Sequence, residues 1–222
     1  KEKSIIARLG SGSASRSMYG GFVRWNGGSL GDGEDSYASQ IAPASHWPDI
    51  VDLVAITDAG VKRVSSKDGM ERSALTSEFF IPRRDSAKRR IPKMENAIRK
   101  KDFASMAIET MRDSNNMHAL MLDSWPPVVY MNDVSHRIAE AVHMHNESVG
   151  SVRAAYTFDA GPNAHIITTQ GEAAKIKAML KKIKGVKKII VSGIGEGAKS
   201  VAPDKELVNK TLKQLKIRVK LD

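Results

Sequence analysis

The chain contains no cysteine, which removes disulfides, thiolate metal sites and cysteine nucleophiles at one stroke. Such a chain fits a reducing compartment, so a cytosolic (cytoplasmic) enzyme is expected. Aromatic residues make up only 5% of the 222 residues, and from residue 171 onward there are none. Base-stacking surfaces need interleaved aromatics, so nucleic acid is a poor candidate partner. No apolar run approaches the roughly 18 residues that a membrane helix requires. The opening KEKSIIARLG lacks the layout of a secretory leader. It also lacks an initiator methionine and reads as the last turns of a helix, so a piece of a longer protein is expected.

What is present in excess is positive charge. Lys and Arg number 35 against 25 Asp and Glu, a net charge of +10. Residues 171–222 hold 14 of the bases and 5 of the acids, and a second basic block runs from Arg83 to Lys101. A polyanion-binding surface and a solvated, lysine-rich face are the two readings of that excess.

Apolar patterning gives the order of elements. FVRW and SYASQIA read as short strands around the glycine-rich turn NGGSLGDGED, and IVDLVAITD is a near-continuous apolar run of buried-strand length. SSKDGMERS reads as a polar loop turning into a helix. Helices are then expected over about 93–100 and 102–113, with breaks at Pro82 and Pro92. Pro126–Pro127 ends that region and starts another helix, on which Val134, Ile138, Ala141, Val142 and His145 share helical spacing. VRAAYTFD and AHIITTQ are strands joined by the tight turn AGPN. A helix striped by Ile176, Met179, Leu180 and Ile183, the strand KKIIVSGI, and a terminal helix through Val208, Leu212, Leu215 and Val219 complete the series. Strand, helices, two strands, helix, strand is the order of an α+β sandwich with helices on one sheet face.

Three constellations carry chemistry. GSGSASRSMY (10–19) combines a glycine-rich turn with Ser11, Ser13 and Arg16, donors suited to an anion. A slack Gly/Ser linker is the competing reading, although a linker has no need of Arg16 or Tyr19. GIGEGAKS (193–200) resembles a Walker A loop but has Ala198 where Gly must precede Lys, so a glycine-rich turn is expected. His136 and His143 lie seven residues apart on one helix face, about 10 Å along the axis, and His143 and His145 point to different faces. One metal ion cannot collect them. Asp159 ends a strand before Ala-Gly-Pro-Asn, where a rigid turn would hold either a functional carboxylate or a mere turn cap.

Taken in order, ARLGSGSASRSMYGGFVRW, APASHWPD, VSSKDGM, DSNNMHA, WPPVVYMND and AYTFDAGPNAHI resemble the diphosphomevalonate decarboxylases of the GHMP kinase superfamily, over roughly residues 4 to 194. The resemblance implies a GHMP-kinase-type two-domain α+β fold. Residues 1–50 would end the N-terminal domain, and residues 51–222 would form the C-terminal ferredoxin-like α/β sandwich. It implies ATP-dependent decarboxylation of (R)-5-diphosphomevalonate to isopentenyl diphosphate, phosphate and carbon dioxide, with ATP and Mg²⁺ as cofactors and a homodimer as the assembly. By motif position, Asp159 would be the catalytic carboxylate. Ser11, Gly12, Ser13, Ala14, Ser15 and Arg16 would bind the diphosphate, with Ser66, Lys67 and Met70 in a second substrate loop. Position 67 is Lys where the family pattern has Thr or Arg, which leaves a phosphomevalonate decarboxylase or a mevalonate 3-kinase relative as alternatives. A polyanion-binding domain without catalysis is the alternative of another class. The family's nucleotide loop has no match in these residues, so this chain alone is expected not to turn over ATP.

Overall fold

The structure is a computed structural model that describes residues 1–60 and 62–199. It opens with two short helices, α1 (Glu2–Arg8) and α2 (Gly12–Ser17). Strands β1 (Phe22–Trp25) and β2 (Ala38–Ala42) follow as an antiparallel pair, with a register shift between Phe22 and Val23. Next come β3 (Ile50–Ile56), α3 (Ser66–Thr76), α4 (Phe80–Lys100), α5 (Phe103–Asp123) and α6 (Asp133–Ser148). Strands β4 (Ala154–Phe158) and β5 (Ala164–Thr169), helix α7 (Gln170–Lys182) and strand β6 (Lys188–Gly193) complete the described chain. The terminal helix expected through Val208 to Val219 lies outside the described residues.

Strands β3 to β6 form one antiparallel sheet in the order β4-β5-β3-β6. With β3 as first strand, this is the ferredoxin-like order expected from the sequence, except that four helices occupy the first crossover. Alternation decides which sheet face is covered. On β5, Ala164, Ile166 and Thr168 are buried while His165, Ile167 and Thr169 are half-buried, the period-2 signature of unequal faces. Leu53, Tyr156, Phe158 and Ile166 from the sheet pack with Ile138, Val142, Ile176 and Leu180 from α6 and α7. Fully burying each such side chain contributes about 1.5–3 kcal/mol. A second cluster joins Ala42, Trp47 and Ile50 to Ala97 and Ile98 of α4 and Met106 of α5, seating the small sheet against the helices. Arg24 and Glu95 add an ion pair at 3.0 Å across the same junction.

Three helix boundaries differ from expectation, the first being that α5, expected over 102–113, runs on to Asp123. Neither Pro82 nor Pro92 breaks a helix: α4 runs through both. Pro82 sits in the first turn, where its missing N–H has no intrahelical acceptor anyway. Pro92 and Lys88, whose carbonyl loses its bond, are both exposed, so that carbonyl is open to solvent. The helix after Pro126–Pro127 begins only at Asp133, because Asn132 and Ser135 close a reciprocal capping box there. The other helices and strands match the expected order.

Candidate active site

Asp159 follows the last residue of β4, and the chain turns through Ala160, Gly161, Pro162 and Asn163 into β5. This turn is held from several sides. The Pro162 carbonyl accepts the hydroxyls of Ser135 at 2.8 Å and Thr57 at 3.1 Å. Asn163 Oδ1 accepts the backbone N–H groups of Thr57 at 2.8 Å and Asp58 at 3.1 Å. Gly161 N–H closes onto the Asp159 carbonyl at 2.7 Å.

One residue upstream, both backbone polar groups of Phe158 are gripped by α5. Its N–H donates to Ser114 Oγ at 3.0 Å, and His118 Nε2 lies 3.2 Å from its carbonyl. A carbonyl only accepts, so the imidazole carries its proton on Nε2. Burial pushes the His118 pKa down, against the opposing pull of the Phe158 carbonyl and the nearby Asp159 charge. His118 therefore works as a neutral donor. Asp159 itself is exposed, and among the described residues its carboxylate accepts no hydrogen bond. A turn cap would use its side chain on the local backbone. Here the backbone is fixed and the carboxylate is left open.

Beside this turn lies a cleft of about 430 Å³ whose walls include Lys62, Arg63, Tyr130, Asn132, Gly161 and Asn163. It therefore carries two cations within reach of the Asp159 turn, and a Cβ at Gly161 would touch Lys62. Helix α3 is tied to the same wall. The Tyr130 hydroxyl donates to the Ser65 carbonyl at 3.0 Å, and Ser65 Oγ accepts the Asp68 N–H at 3.1 Å as the helix cap. Gly69 lies directly under the Tyr130 hydroxyl, where any side chain would collide. Ser66, Lys67 and Met70 are exposed on the first turns of α3. The α3 start and the Asp159 turn are thus brought together through Tyr130.

The 10–19 stretch is a helix start rather than a loop. Ser11 Oγ accepts the Ala14 N–H at 3.0 Å and caps α2, and Ser13 Oγ stands 3.0 Å from Ser11 Oγ. Ser11, Ser13 and Arg16 are exposed, and Ala14 is half-buried. Ser15 is different: it is 0% exposed, with its hydroxyl 2.9 Å from Ser4 Oγ of α1. Ser4 Oγ also accepts the Ala38 N–H at 2.8 Å, so Ser15 belongs to a structural node joining α1, α2 and β2. Gly12 is required because a Cβ there would strike the Trp25 ring.

α2 is not among the walls of the cleft. Its end touches residues that follow β6: Ala198 N–H donates to Ser17 O at 3.2 Å, and Gly21 N–H to Gly195 O at 3.0 Å. The glycine-rich run after β6 is therefore an extended segment alongside residues 17–21, not a phosphate loop. Gly193 pairs with Val51 and Ala164 pairs with Ala55, so this contact and Asp159 stand toward opposite ends of β3.

Three further histidines have separate partners. His143 Nε2 is 3.1 Å from the Tyr156 hydroxyl, which donates to Asn115 Oδ1, whereas His145 faces Glu172 at 3.6 Å. His165 Nδ1 sits 2.8 Å from Asp52 Oδ2 on the less covered sheet face, and that hydrogen bond raises its pKa. Among the described residues no group of three or more His, Asp or Glu is placed to hold a metal ion, and no helix is long and apolar enough to cross a membrane. Thr57 and Ser135 carry the site without any sequence signal that points to them, whereas Ser114 and His118 lie in the block DSNNMHA and Tyr130 in WPPVVYMND, with no role assigned to them by sequence.

Comparison with known proteins places the chain in a family. The family model described as mevalonate 5-diphosphate decarboxylase C-terminal domain matches residues 52–220, and the diphosphomevalonate decarboxylase-like N-terminal domain matches residues 1–38. A diphosphomevalonate decarboxylase of Aspergillus fumigatus is 48% identical over 185 residues, covering 83% of this chain and 46% of the relative. The Homo sapiens diphosphomevalonate decarboxylase is 47% identical, covering 79% of this chain and 44% of the relative. The chain spans about half the length of these curated relatives. A crystal structure of mevalonate 5-diphosphate decarboxylase superposes with a TM-score of 0.82 at 36% identity, over 91% of this chain and 63% of that one. MDDEF in complex with MVAPP, AMPPCP and magnesium superposes with a TM-score of 0.80 at 32% identity, over 89% of this chain and 59% of that one. With the C-terminal domain model alone matching most of its length, the chain belongs to the diphosphomevalonate decarboxylase family.

Proposed function

We propose that the chain supplies the carboxylate-bearing part of an enzyme that decarboxylates (R)-5-diphosphomevalonate, giving isopentenyl diphosphate, phosphate and carbon dioxide at the expense of ATP. The relatives carry that name, and a solved neighbour holds MVAPP beside AMPPCP and magnesium. The observation that carries the reading is the open Asp159 carboxylate on a turn fixed by Thr57, Ser135 and Asn163.

A group held this way needs no reorganisation as charge develops. Asp159 would orient the substrate's tertiary hydroxyl and accept its proton. When bound, ATP supplies the phosphoryl group that makes this oxygen a leaving group. As the C–O bond breaks, the electron pair leaves with phosphate and positive charge grows at C3, where the carboxylate opposes it. The C1–C2 pair then becomes the new double bond as carbon dioxide departs. Ser11, Ser13 and Arg16 on α2, with Ser66 and Lys67 on α3, would hold the substrate's anionic groups, and Gly12, Ala14 and Met70 would shape those walls. Ser15 would act by keeping α2 in place.

The glycine run at 193–197 lies alongside residues 17–21 and offers no phosphate loop, so ATP would be held by other parts of the full-length protein, with Mg²⁺ on one or two carboxylates beside its phosphates. The division near residue 50 into two GHMP domains, and assembly as a homodimer, belong to the same proposal. The test is a product assay on the full-length protein with mevalonate, its phosphate and its diphosphate. Carbon dioxide release from the diphosphate is expected; release from the monophosphate alone would overturn the reading.

A further inference from the structure

We propose a second anion site, for inorganic phosphate, between α4 and α5, independent of the catalytic reading above. A cavity of about 150 Å³ is lined there by Ser86, Arg89, Arg90 and Lys93 of α4 and by Glu109 and Arg112 of α5. The spacings place the four α4 residues along one side of that helix and the two α5 residues one turn apart. Four cations surround a single carboxylate.

Two of these groups are buried and unmatched. Arg90 Nη1 and Glu109 Oε2 have no hydrogen-bond partner among the described residues. They face each other at 3.9 Å, beyond hydrogen-bond range. Arg90 Nε already donates to Ser86 Oγ at 3.1 Å, and Glu109 is only 8% exposed. A buried charged acceptor without a donor is costly, so the geometry calls for a guest that accepts from Arg90 and donates to Glu109.

Few guests do both. A metal cation would face four positive side chains. Sulfate carries no proton at neutral pH and would set an oxygen lone pair against the Glu109 carboxylate, which only accepts. Hydrogen phosphate presents charged oxygens to Arg89, Arg90, Lys93 and Arg112 while its P–OH donates to Glu109 Oε2. Both contacts are charge-assisted. The cavity has room for a tetrahedral ion with ordered water and not for a nucleotide.

Titration calorimetry on the full chain, with phosphate and sulfate at matched ionic strength, tests this. Saturable phosphate binding is expected, with sulfate weaker by about tenfold or more, as befits one lost charged hydrogen bond. Arg89→Ala with Lys93→Ala, both at exposed positions, should weaken phosphate about tenfold or more while leaving the thermal melt unchanged. Glu109→Gln supplies an amide donor, so sulfate should gain until the two anions bind within a few-fold of each other. Equal binding of phosphate and sulfate to the unaltered protein would mean a diffuse basic surface and overturn the proposal. So would the absence of saturable phosphate binding, or phosphate binding indifferent to the Arg89/Lys93 changes. Glycerol 3-phosphate binding as tightly as free phosphate would overturn the assignment to the inorganic ion.

Discussion

At Asp159 a one-atom change separates chemistry from structure. Asp159→Asn keeps size and one oxygen acceptor at an exposed position, so folding should be little altered. Under the proposed function it removes the base and the charge facing the developing cation, each typically worth on the order of 10² to 10⁴ in rate. Steady-state kinetics on the full-length protein should show turnover falling by that order with KM changed far less; near-native turnover in a folded variant would reduce Asp159 to a turn residue. His165 and His118 bring a pH dependence of opposite sign. The Asp52 hydrogen bond holds the His165 pKa above its ordinary 6.5, so its contribution is complete below about that pH and is lost as pH rises through the folded value. Burial holds His118 below 6.5, so its contribution is present above that pH and fades as pH falls. Melting temperatures of His165→Gln against the parent should converge as pH rises above 6.5. An equal gap at every pH would show the pair to be neutral packing only.

Helix α5 is the element that aims the site. Through Ser114 and His118 it holds both polar groups of Phe158, the residue before Asp159. His118→Ala should leave the Phe158 carbonyl without its donor, costing about 1–3 kcal/mol of stability. A misplaced carboxylate should also lower turnover by up to about 10² with little change in KM. His118→Gln, which restores a donor, should recover part of the rate; a stability loss without any rate loss would confine His118 to packing. This division of labour shows what the sequence could and could not reveal. The strand order, the buried β3 and the Asp159 turn were legible because period-2 alternation and AGPN are local signals. Ser15 was grouped with its neighbours as a ligand because nothing local told that its hydroxyl turns inward to Ser4. The clamps from Thr57, Ser135 and Ser114 come from residues distant in the chain, and α4 runs through Pro92 because its packing, with Ala97 and Ile98 against Met106 of α5, offsets the cost of an interior proline. Contacts of that kind have no short-range trace.

At the scale of the whole molecule, two sheets are joined where backbone meets backbone. A Cβ on Gly20 would come within 2.6 Å of Gly197 N, and one on Gly197 within 2.7 Å of Gly20 N. Gly197→Val should therefore push residues 195–198 away from residues 17–21. A loss of about 1–3 kcal/mol is expected for such overpacking, read as a lower denaturation midpoint, and an unchanged midpoint would show the junction to be slack. The large sheet's own core, built on Leu53, Phe158 and Ile166, should persist, so hydrogen exchange should quicken first in β1 and β2. The same junction has a meaning in time. During synthesis residues 17–21 leave the ribosome long before residues 195–198 exist. Ser17 and Gly21 must therefore wait for nearly the last residues described here before their backbone partners exist. Contacts this distant in sequence form slowly, so this junction is among the last parts of the described fold to be completed.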